Sequence, residues 1–320
     1  MTDISTVIVN WNTKALLLDC IRTILDMALE HTVEIIVVDN ASTDGSAAAV
    51  AQEFPEVTVI RNRKNEGFAK ANNVGIRAAQ GKYVCLINSD VKLLDGCLDS
   101  MCGYMDEHPH VGILGPRILN KDLSLQISCG EFPSVWTTFT QALMLDKVFP
   151  RSRLCRTRFM NDFDHERIRD VEVLSGCFLM VRREALEKVG LLDERFFIYK
   201  EDVDWCKRFH DAHWLARFYP TAEAIHYGGA SSSVTPARFL MEMEKANLQY
   251  WRKHYGWLAE KLILNISVAH YGLRVVVWGS AHLWSRGNNL IAKQMLKRYV
   301  ACLVRLGGFD RFGMGIGGGA

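Results

Sequence analysis

The chain has 320 residues, 49% of them hydrophobic and 23% charged, with a formal net charge of +2. This length allows a sizeable core, in one large domain or in one domain with an appendage. The nine cysteines include no CxxC pair, which argues against a secreted disulfide framework and favours a reducing cytoplasm. The first residues lack the basic and then apolar pattern of a signal peptide, so we expect none.

The first half of the chain alternates short apolar runs with helical patterns. Strands are predicted over residues 6–9, 34–38, 58–60 and 83–87, and helices over residues 13–29, 46–54, 69–79 and 94–108. Strands that are apolar throughout and alternate with helices indicate a mainly parallel sheet covered on both faces. The expected fold class is therefore α/β.

The second half is less regular at first. Residues 118–169 are interpreted as loops over the site, with Arg151, Arg153, Arg156 and Arg158 among them. Strands are then predicted over 171–174, 177–181 and 222–226, and helices over 183–189, 203–210 and much of the chain from residue 238. We expect a catalytic domain over 1–235, a helical region over 236–312, and a disordered glycine-rich tail over 313–320.

Polar residues follow the predicted strands, where an open α/β sheet binds its ligands. They are Asn10, Asn12, Asp39, Asn65 and Asn88. A carboxylate such as Asp39 can accept a hydrogen bond from the imide N–H of uracil or thymine. Asp44, in the same loop, is better explained as a turn-shaping and helix-capping residue.

The segment from Asn65 to Asn72 begins a second helix next to a strand end. Gly67 allows close backbone approach there, and Phe68 begins the helix whose free N–H groups can bind an anion. The segment is therefore a candidate for contact with a phosphate group.

Acidic residues at two other places could carry chemistry. Asp90 follows a predicted strand and could hold Mg²⁺ or Mn²⁺, which prefer oxygen ligands, and His226 could add a nitrogen ligand. Glu201 and Asp202 open a helix, so one could face a pocket while the other braces the structure. Asp204 suits a structural pair with Arg208, four residues later.

Six motifs occur in one order along residues 5–227. They are VNWN from Val9, VVDNASTDGS from Val37, NEGFAKANNVG from Asn65, NSD from Asn88, SGCFLMVRR from Ser175 and FFIYKEDVDWCKR from Phe196. Together they resemble the inverting family 2 glycosyltransferases with a GT-A fold, a Rossmann-like sheet flanked by helices. The resemblance is strongest to the rhamnosyltransferase-like branch.

The resemblance implies a nucleotide-sugar donor, dTDP-rhamnose first and UDP-galactofuranose or another UDP-hexose next. The acceptor would be a polysaccharide or a lipid-linked glycan. Asp202 would be the general base beside Glu201, and Asp90 with His226 would hold a divalent metal, Mg²⁺ or Mn²⁺. Asn88 stands where the metal motif has Asp. The remaining donor-contacting residues would be Asn10, Asn12, Asp39, Asn65, Gly67, Phe68 and Asn72.

The C-terminal region is basic and rich in tryptophan. Between Trp251 and Leu306 it has nine Lys or Arg residues and one acid, Glu260. Arg274 interrupts the longest apolar stretch, so helices lying on an anionic membrane surface are favoured over a spanning helix. The alternatives are a helical cap over the catalytic domain and a dimer contact. We expect a cytoplasmic enzyme at the inner face of the cytoplasmic membrane.

Two other functional classes remain open. The chain could be a non-catalytic nucleotide-binding scaffold of a glycan assembly complex, although Asp90, Glu201 and Asp202 argue against this. A nucleotidyltransferase is disfavoured because no glycine- and lysine-rich phosphate loop lies near the N-terminus. Nucleic-acid binding is not expected, since the basic residues lie among tryptophans and apolar stretches. The oligomeric state is not predicted.

Overall fold

The computed structural model describes residues 2–149, 160, 163–228, 236–285 and 288–312. The arginine-rich segment from Arg151 to Arg158 and the glycine-rich tail lie outside these residues. The chain divides into two compact units, one of residues 1–132 and 158–236 and one of residues 133–157 and 237–320. The inclusion of residues 133–157 in the second unit was not anticipated from the sequence.

The first unit contains a sheet built from short, mostly buried strands. Its strands are β1 (Ile4–Asn10), β2 (Val33–Asp39), β3 (Thr58–Arg61), β4 (Tyr83–Asn88), β5 (Val91–Leu93), β6 (Val111–Leu119), β7 (Leu125–Gln126), β9 (Arg169–Val171), β11 (Phe178–Arg182) and β12 (Leu215–His226). Within the described residues, the order along the sheet is β3-β2-β1-β4-β11-β6-β12-β5, while β7 pairs with β6 and β9 with β12. Two further short strands, β8 (Cys129–Gly130) and β10 (Val173–Leu174), pair with each other.

Helices cover both faces of this sheet, as predicted. They are α1 (Lys14–Leu25), α2 (Ser46–Glu53), α3 (Phe68–Ala78), α4 (Cys97–Glu107), α7 (Arg183–Val189) and α8 (Glu201–Asp211). One buried cluster includes Leu17 of α1, Val50 of α2 and Met101 of α4. The other includes Ile76 of α3 and Trp205 of α8. The sheet therefore lies between two apolar layers, which is why its strands are apolar on both sides.

The four predicted strands of the first half are confirmed, and they run parallel to one another. The sequence did not predict β6, which lies between β11 and β12. This strand contains Gly112, Gly115 and Pro116, residues that normally mark turns rather than strand interiors. Strand β11 runs antiparallel to both β4 and β6, so the sheet is mainly but not wholly parallel.

The second unit is helical. Its helices are α5 (Val135–Ala142), α6 (Leu145–Val148), α9 (Pro236–Trp284) and α10 (Leu290–Phe312). The prediction of loops over residues 118–169 was wrong where β7, β8, α5 and α6 form. Helix α5 is stabilised at its start by Ser134, which caps it through a reciprocal pair of hydrogen bonds with Thr137. Helix α9 changes direction at Gly256, where φ is 84° and ψ is 179°. Among the described residues, one stretch, Phe239–Trp284, is long and apolar enough to cross a membrane.

Candidate active site

The carboxyl ends of three parallel strands bring the predicted polar residues to one edge of the sheet. Asn10 at the end of β1 is in register with Asp39 at the end of β2, and Val9 is in register with Asn88 of β4. The candidate site therefore begins at this edge.

Asn10 holds Asp39 and the loop that follows it. Its amide nitrogen lies 3.3 Å from Asp39 Oδ1, 3.0 Å from Ser42 Oγ and 2.8 Å from Ser46 Oγ. Asn10 is fully buried, and its amide oxygen accepts a hydrogen bond from Thr13 at 2.7 Å. We therefore interpret Asn10 as a residue that positions Asp39, rather than as the donor contact expected from the sequence.

Asn12 and Asp44 stabilise the same loop. The Asn12 amide oxygen accepts a hydrogen bond from the Thr43 N–H at 2.7 Å. Asp44 accepts from the backbone N–H of Ser46 at 3.1 Å and from that of Lys14 at 2.8 Å, so it braces the starts of α2 and α1. These contacts leave Asp39 as the carboxylate of this loop that is best placed for a ligand.

The loop before α3 is closely packed against the segment before α8. The Phe68 N–H donates to the Phe197 carbonyl oxygen at 2.6 Å. Gly67 has a φ of +85°, and a Cβ at this position would lie 2.5 Å from the same carbonyl oxygen. A side chain cannot be accommodated there, so the glycine is required for the close approach of the two segments.

Two asparagines of this region are bonded to protein atoms. The Asn65 amide oxygen accepts hydrogen bonds from Asn40 at 2.9 Å and from the Gly67 N–H at 3.0 Å. Asn72 is buried, and its amide donates to the Phe68 carbonyl oxygen at 3.0 Å. Both contacts fix the backbone at the start of α3, which keeps the first N–H groups of the helix in place.

Asp90 and His226 lie side by side, as the metal hypothesis requires. Strand β5 pairs with β12 and puts His226 opposite Val91. His226 Nε2 lies 3.2 Å from Asp90 Oδ1, and the Asn88 amide nitrogen lies 3.5 Å from the same ring nitrogen. The turn between β4 and β5 thus lies against the end of β12.

Gln126 orients His226, a role that could not be inferred from the sequence. The Gln126 amide oxygen lies 2.6 Å from His226 Nδ1, and its amide nitrogen donates to Asn120 Oδ1 at 2.8 Å. Nδ1 is therefore the hydrogen-bond donor, and Nε2 faces Asp90. An imidazole held in this way by its other nitrogen is the usual arrangement of a metal-binding histidine.

Among the described residues, two amide or carboxyl oxygens are buried without a hydrogen-bond partner, Asn88 Oδ1 and Glu201 Oε2. Both belong to the predicted site. Buried polar atoms are rarely left unpaired in folded proteins, so each has bonding capacity left for a ligand. Carboxylate, amide oxygen and imidazole nitrogen form a donor set that suits Mn²⁺ or Mg²⁺. The residues present therefore fit a divalent cation.

The acidic pair at the start of α8 is divided between a buried and a partly exposed group. Burial, and then the charge of Asp202, raises the pKa of Glu201 well above its ordinary value, so the neutral acid is favoured. Asp202 Oδ2 accepts a hydrogen bond from the Gly176 N–H at 3.0 Å. Asp204 is fully buried and pairs with Arg208 at 2.9 Å, which confirms its structural role.

One short segment connects the two acidic parts of the site. Gly176 donates to Asp202, while the carbonyl oxygen of the next residue, Cys177, accepts from the Asn88 N–H at 2.9 Å. Asp202 and the Asn88–Asp90 turn are therefore hydrogen-bonded to adjacent residues of the segment that leads into β11. The sequence showed this segment as a motif without assigning it a role.

A second group of possible metal ligands lies at the opposite, amino-terminal edge of the sheet. His31, Cys102 and Asp106 have ligand atoms within 4.8 Å of one another. Asp106, however, pairs with Lys82 and accepts a hydrogen bond from the Tyr83 hydroxyl. Burial raises the pKa of Cys102 to about 12, so its thiol is protonated at neutral pH. We interpret this group as structural.

A mainly parallel α/β sheet flanked by helices, with polar side chains gathered at its carboxyl edge, is the architecture of the GT-A fold. Residues 5–190 match the family model described as Glycosyl transferase family 2. The chain belongs to this family.

Curated relatives and solved structures agree with this assignment. The chain is 32% identical, over 73% of its length and 79% of the relative's, to an N-acetylglucosaminyl-diphospho-decaprenol L-rhamnosyltransferase of Mycobacterium tuberculosis. It is 26% identical, over 72% of its length and 71% of the relative's, to a dTDP-rhamnosyl transferase of Shigella flexneri. Its fold resembles that of a mannosyltransferase from Pyrobaculum calidifontis in complex with GDP-Man and Mn²⁺. That likeness has a TM-score of 0.54 at 14% identity and covers 98% of this chain and 90% of the other.

Proposed function

We propose that this protein is an inverting rhamnosyltransferase that uses dTDP-rhamnose and a lipid-linked glycan acceptor. The main support for this reaction type is that Asp202 and the Asn88–Asp90 turn are hydrogen-bonded to adjacent residues, Gly176 and Cys177. A base and a charge-stabilising group on opposite sides of the reacting carbon are what glycosyl transfer requires. The names of the two rhamnosyl-transferring relatives support the sugar.

The nucleotide would bind over the ends of β1 and β2. Asp39 is held by Asn10 and by the Ser42 N–H, which lies 3.2 Å from its second oxygen. Each carboxylate oxygen has a second lone pair, so Asp39 can still accept the imide N–H of thymine or uracil. The Phe68 N–H is bonded to Phe197, so the next N–H groups of α3, those of Ala69 and Lys70, would face the diphosphate.

Asp90 and His226 would hold the divalent cation, with Asn88 Oδ1 as a further oxygen donor. A cation bound there supplies positive charge for the departing nucleoside diphosphate. The Gln126 hydrogen bond keeps His226 Nε2 directed at Asp90. Asn88 would serve in place of an aspartate, because its unpaired Oδ1 would be a ligand that adds no second negative charge.

Asp202 would be the general base. As an acceptor hydroxyl oxygen attacks the anomeric carbon, its proton moves to an Asp202 carboxylate oxygen, and the bond between that carbon and the diphosphate oxygen breaks. The hydrogen bond from Gly176 fixes the carboxylate without protonating it. Glu201, kept neutral by burial, adds no competing negative charge and can donate a hydrogen bond from its buried carboxyl group.

The acceptor would be a sugar attached to a polyprenyl diphosphate. The support is the relative that is named for rhamnosyl transfer to N-acetylglucosaminyl-diphospho-decaprenol. An acceptor of this kind is anchored in a lipid bilayer, so the enzyme would work at a membrane and from the cytoplasmic side, where nucleotide sugars are available.

A donor panel tests this proposal. Purified protein is incubated with Mn²⁺, a polyprenyl-diphosphate-linked N-acetylglucosamine and dTDP-rhamnose, UDP-galactofuranose or UDP-glucose, and the lipid product is weighed by mass spectrometry. We expect the lipid product to gain the mass of one deoxyhexose with dTDP-rhamnose, and no sugar with either of the other two donors. Transfer from a UDP-hexose only would contradict the donor assignment. No transfer from any donor, by protein that still binds nucleotide, would favour the scaffold alternative.

A further inference from the structure

The helical unit carries polar groups on its inside. At Gly256 the chain turns back, so Glu244 of the first part of α9 reaches the second part of the same helix. Its carboxylate accepts hydrogen bonds from the Ser267 hydroxyl at 3.0 Å and the Tyr271 hydroxyl at 2.8 Å. Both of these residues are buried, so a three-residue polar network lies between the two parts of α9.

A second network fixes the position of Arg274. Its Nε donates to His270 Nε2 at 2.8 Å, and a terminal guanidinium nitrogen donates to the Tyr299 hydroxyl at 3.1 Å. His270 in turn donates through Nδ1 to the Ala142 carbonyl oxygen at 2.7 Å. Arg274 is the charge that disfavoured a spanning helix in the sequence analysis, and in the structure it is directed at His270 and at Tyr299 of α10.

The outer face of the same stretch is apolar. Leu258, Leu262, Leu273, Val276 and Leu283 follow one another at helical spacing, so they lie on one side of α9. All are exposed, Val276 by 64% and Leu283 by 78%. The adjacent exposed side chains are Trp257, Val268, Val277 and Trp284, of which Trp284 is 92% exposed. From Leu262 to Ser285 the sequence contains no Lys, Arg, Asp or Glu except Arg274.

A helix with its polar groups inside and its apolar groups outside is the reverse of a helix that packs on a soluble core. Monomeric soluble proteins rarely expose apolar patches of this extent, and such patches mark interaction surfaces. Helix α10 exposes both apolar and basic side chains. Leu290 and Ile291 are exposed at its start, and Lys293, Lys297 and Arg305 are exposed farther along. The apolar surface is therefore accompanied by exposed cations.

We propose that the apolar outer face of α9, from Leu258 to Trp284, binds an anionic lipid bilayer by lying within one leaflet. Apolar side chains and a terminal tryptophan would enter the acyl region, and the α10 cations would contact lipid phosphates. A spanning arrangement of α9 does not fit, because α10 packs against α9 through Arg274 and Tyr299. A spanning α9 would therefore bring the exposed Lys293 and Lys297 of α10 into hydrocarbon, which is costly. Binding of this face to lipid does not depend on the proposed glycosyl transfer, although a lipid-linked acceptor would explain why the enzyme binds a membrane.

Vesicle co-sedimentation of the full chain tests this binding mode. Vesicles of phosphatidylcholine alone and with phosphatidylglycerol are compared at low and high salt. We expect binding that increases with phosphatidylglycerol and is reduced but not abolished by high salt. Val276→Asp and Leu283→Asp should each weaken binding by about tenfold or more, because each replaces an apolar contact with the bilayer by a charge.

Leu123→Asp is the matched control, since Leu123 is 63% exposed in the other unit and the chemical change is the same. It should bind vesicles as the wild type does. Circular dichroism and thermal melting establish that each variant is folded. Trp284→Phe provides a readout that needs no destabilising change: quenching of tryptophan fluorescence by lipids brominated on their acyl chains should decrease while vesicle binding is kept.

Three results would overturn the proposal. The first is equal vesicle binding by the wild type and a folded Val276→Asp variant. The second is binding that high salt removes completely, with no quenching by brominated lipid, because that pattern indicates charge contact alone. The third is a lipid-free dimer that Val276→Asp converts to a monomer without changing vesicle binding, which would assign the face to a second copy of the chain.

Discussion

In the sheet-based unit, polar side chains are collected at one edge of an apolar sheet, whereas in the helical unit they lie inside, beneath an apolar outer face. The glutamates Glu201 and Glu244, one in each unit, also differ in hydrogen bonding. Asn88 and Glu201 each bury an oxygen that has no partner among the described residues, while both Glu244 oxygens are paired with hydroxyl groups. The unpaired oxygens of Asn88 and Glu201 leave bonding capacity for a ligand, whereas the paired Glu244 carboxylate supports the packing of the two parts of α9.

The largest expected effect concerns Asp202. Asp202→Asn should lower the transfer rate by about a hundredfold or more, because an amide cannot accept the acceptor's proton. Donor binding, measured by nucleotide-induced thermal shift, should be unchanged. Asp211→Asn, at the exposed end of the same helix, is the control and should keep wild-type activity. A rate within a few-fold of wild type for Asp202→Asn would remove Asp202 from the role of base.

The packing that forms the site can be tested at Gly67. Gly67 and Gly190 have nearly the same backbone angles, φ 85° and ψ 174° against φ 84° and ψ 177°. A Cβ at Gly67 meets the Phe197 carbonyl oxygen, while one at Gly190 meets nothing within 4 Å. Both alanine variants should be strained, and Gly67→Ala should lose about 1–3 kcal/mol more from the free energy of unfolding. Equal losses in urea unfolding would contradict the close contact.

The role assigned to Gln126 predicts a smaller effect, on metal dependence. Gln126→Leu should raise the Mn²⁺ concentration needed for half-maximal activity by about 10–100-fold, because His226 loses the bond that orients its ring. Gln126→Glu retains an oxygen acceptor for Nδ1 and should restore most of the affinity. If the leucine and glutamate variants need the same Mn²⁺ concentration, Gln126 does not act through His226.

The smallest expected effect concerns Glu201 and pH. Because the pKa of Glu201 is raised in the folded state, the unfolded chain loses this proton at a lower pH than the folded chain does. The contribution of Glu201 to wild-type stability should therefore fall as pH rises above the ordinary pKa of a glutamate, about 4.5. Glu201→Gln has no such proton, so its advantage over wild type should grow from pH 5 to pH 7 in urea unfolding. A difference independent of pH would contradict the neutral carboxyl group.

The sequence allowed much of the sheet to be predicted, because buried parallel strands are apolar along their whole length. Asp90 and the acidic pair were candidates by residue type and His226 by the family resemblance; the fold brings Asp90 and His226 together, and their roles stay predictions. Strand β6 could not be predicted because Gly112, Gly115 and Pro116 are turn-forming residues that only tertiary packing accommodates in a strand. At Gly115, for example, a Cβ would lie 2.7 Å from a methyl carbon of Leu174, so the packing in the folded protein requires a glycine there.

The supporting contacts of the site were beyond reach for a different reason. Gln126 lies far from His226 along the chain, and Gly176 acts through its backbone N–H, which every non-proline residue has. Asn10 was identified as a polar residue at a strand end, but only its complete burial separates a positioning role from ligand contact. The apolar outer face of α9 was likewise hidden, since composition alone does not say which side of a helix is covered.

The central claim is that the carboxyl edge binds a nucleoside diphosphate together with a metal held by Asp90. The most direct measurement is the thermal shift of the wild type and of Asp90→Ala with dTDP or UDP, each with and without Mn²⁺. We expect the wild type to melt at a higher temperature with dTDP, and more so with Mn²⁺, because a ligand that binds only the folded state stabilises it. The Mn²⁺-dependent part should be absent in Asp90→Ala. A wild type that melts cooperatively but does not respond to either nucleotide, or an Mn²⁺ effect that persists without Asp90, would contradict the account.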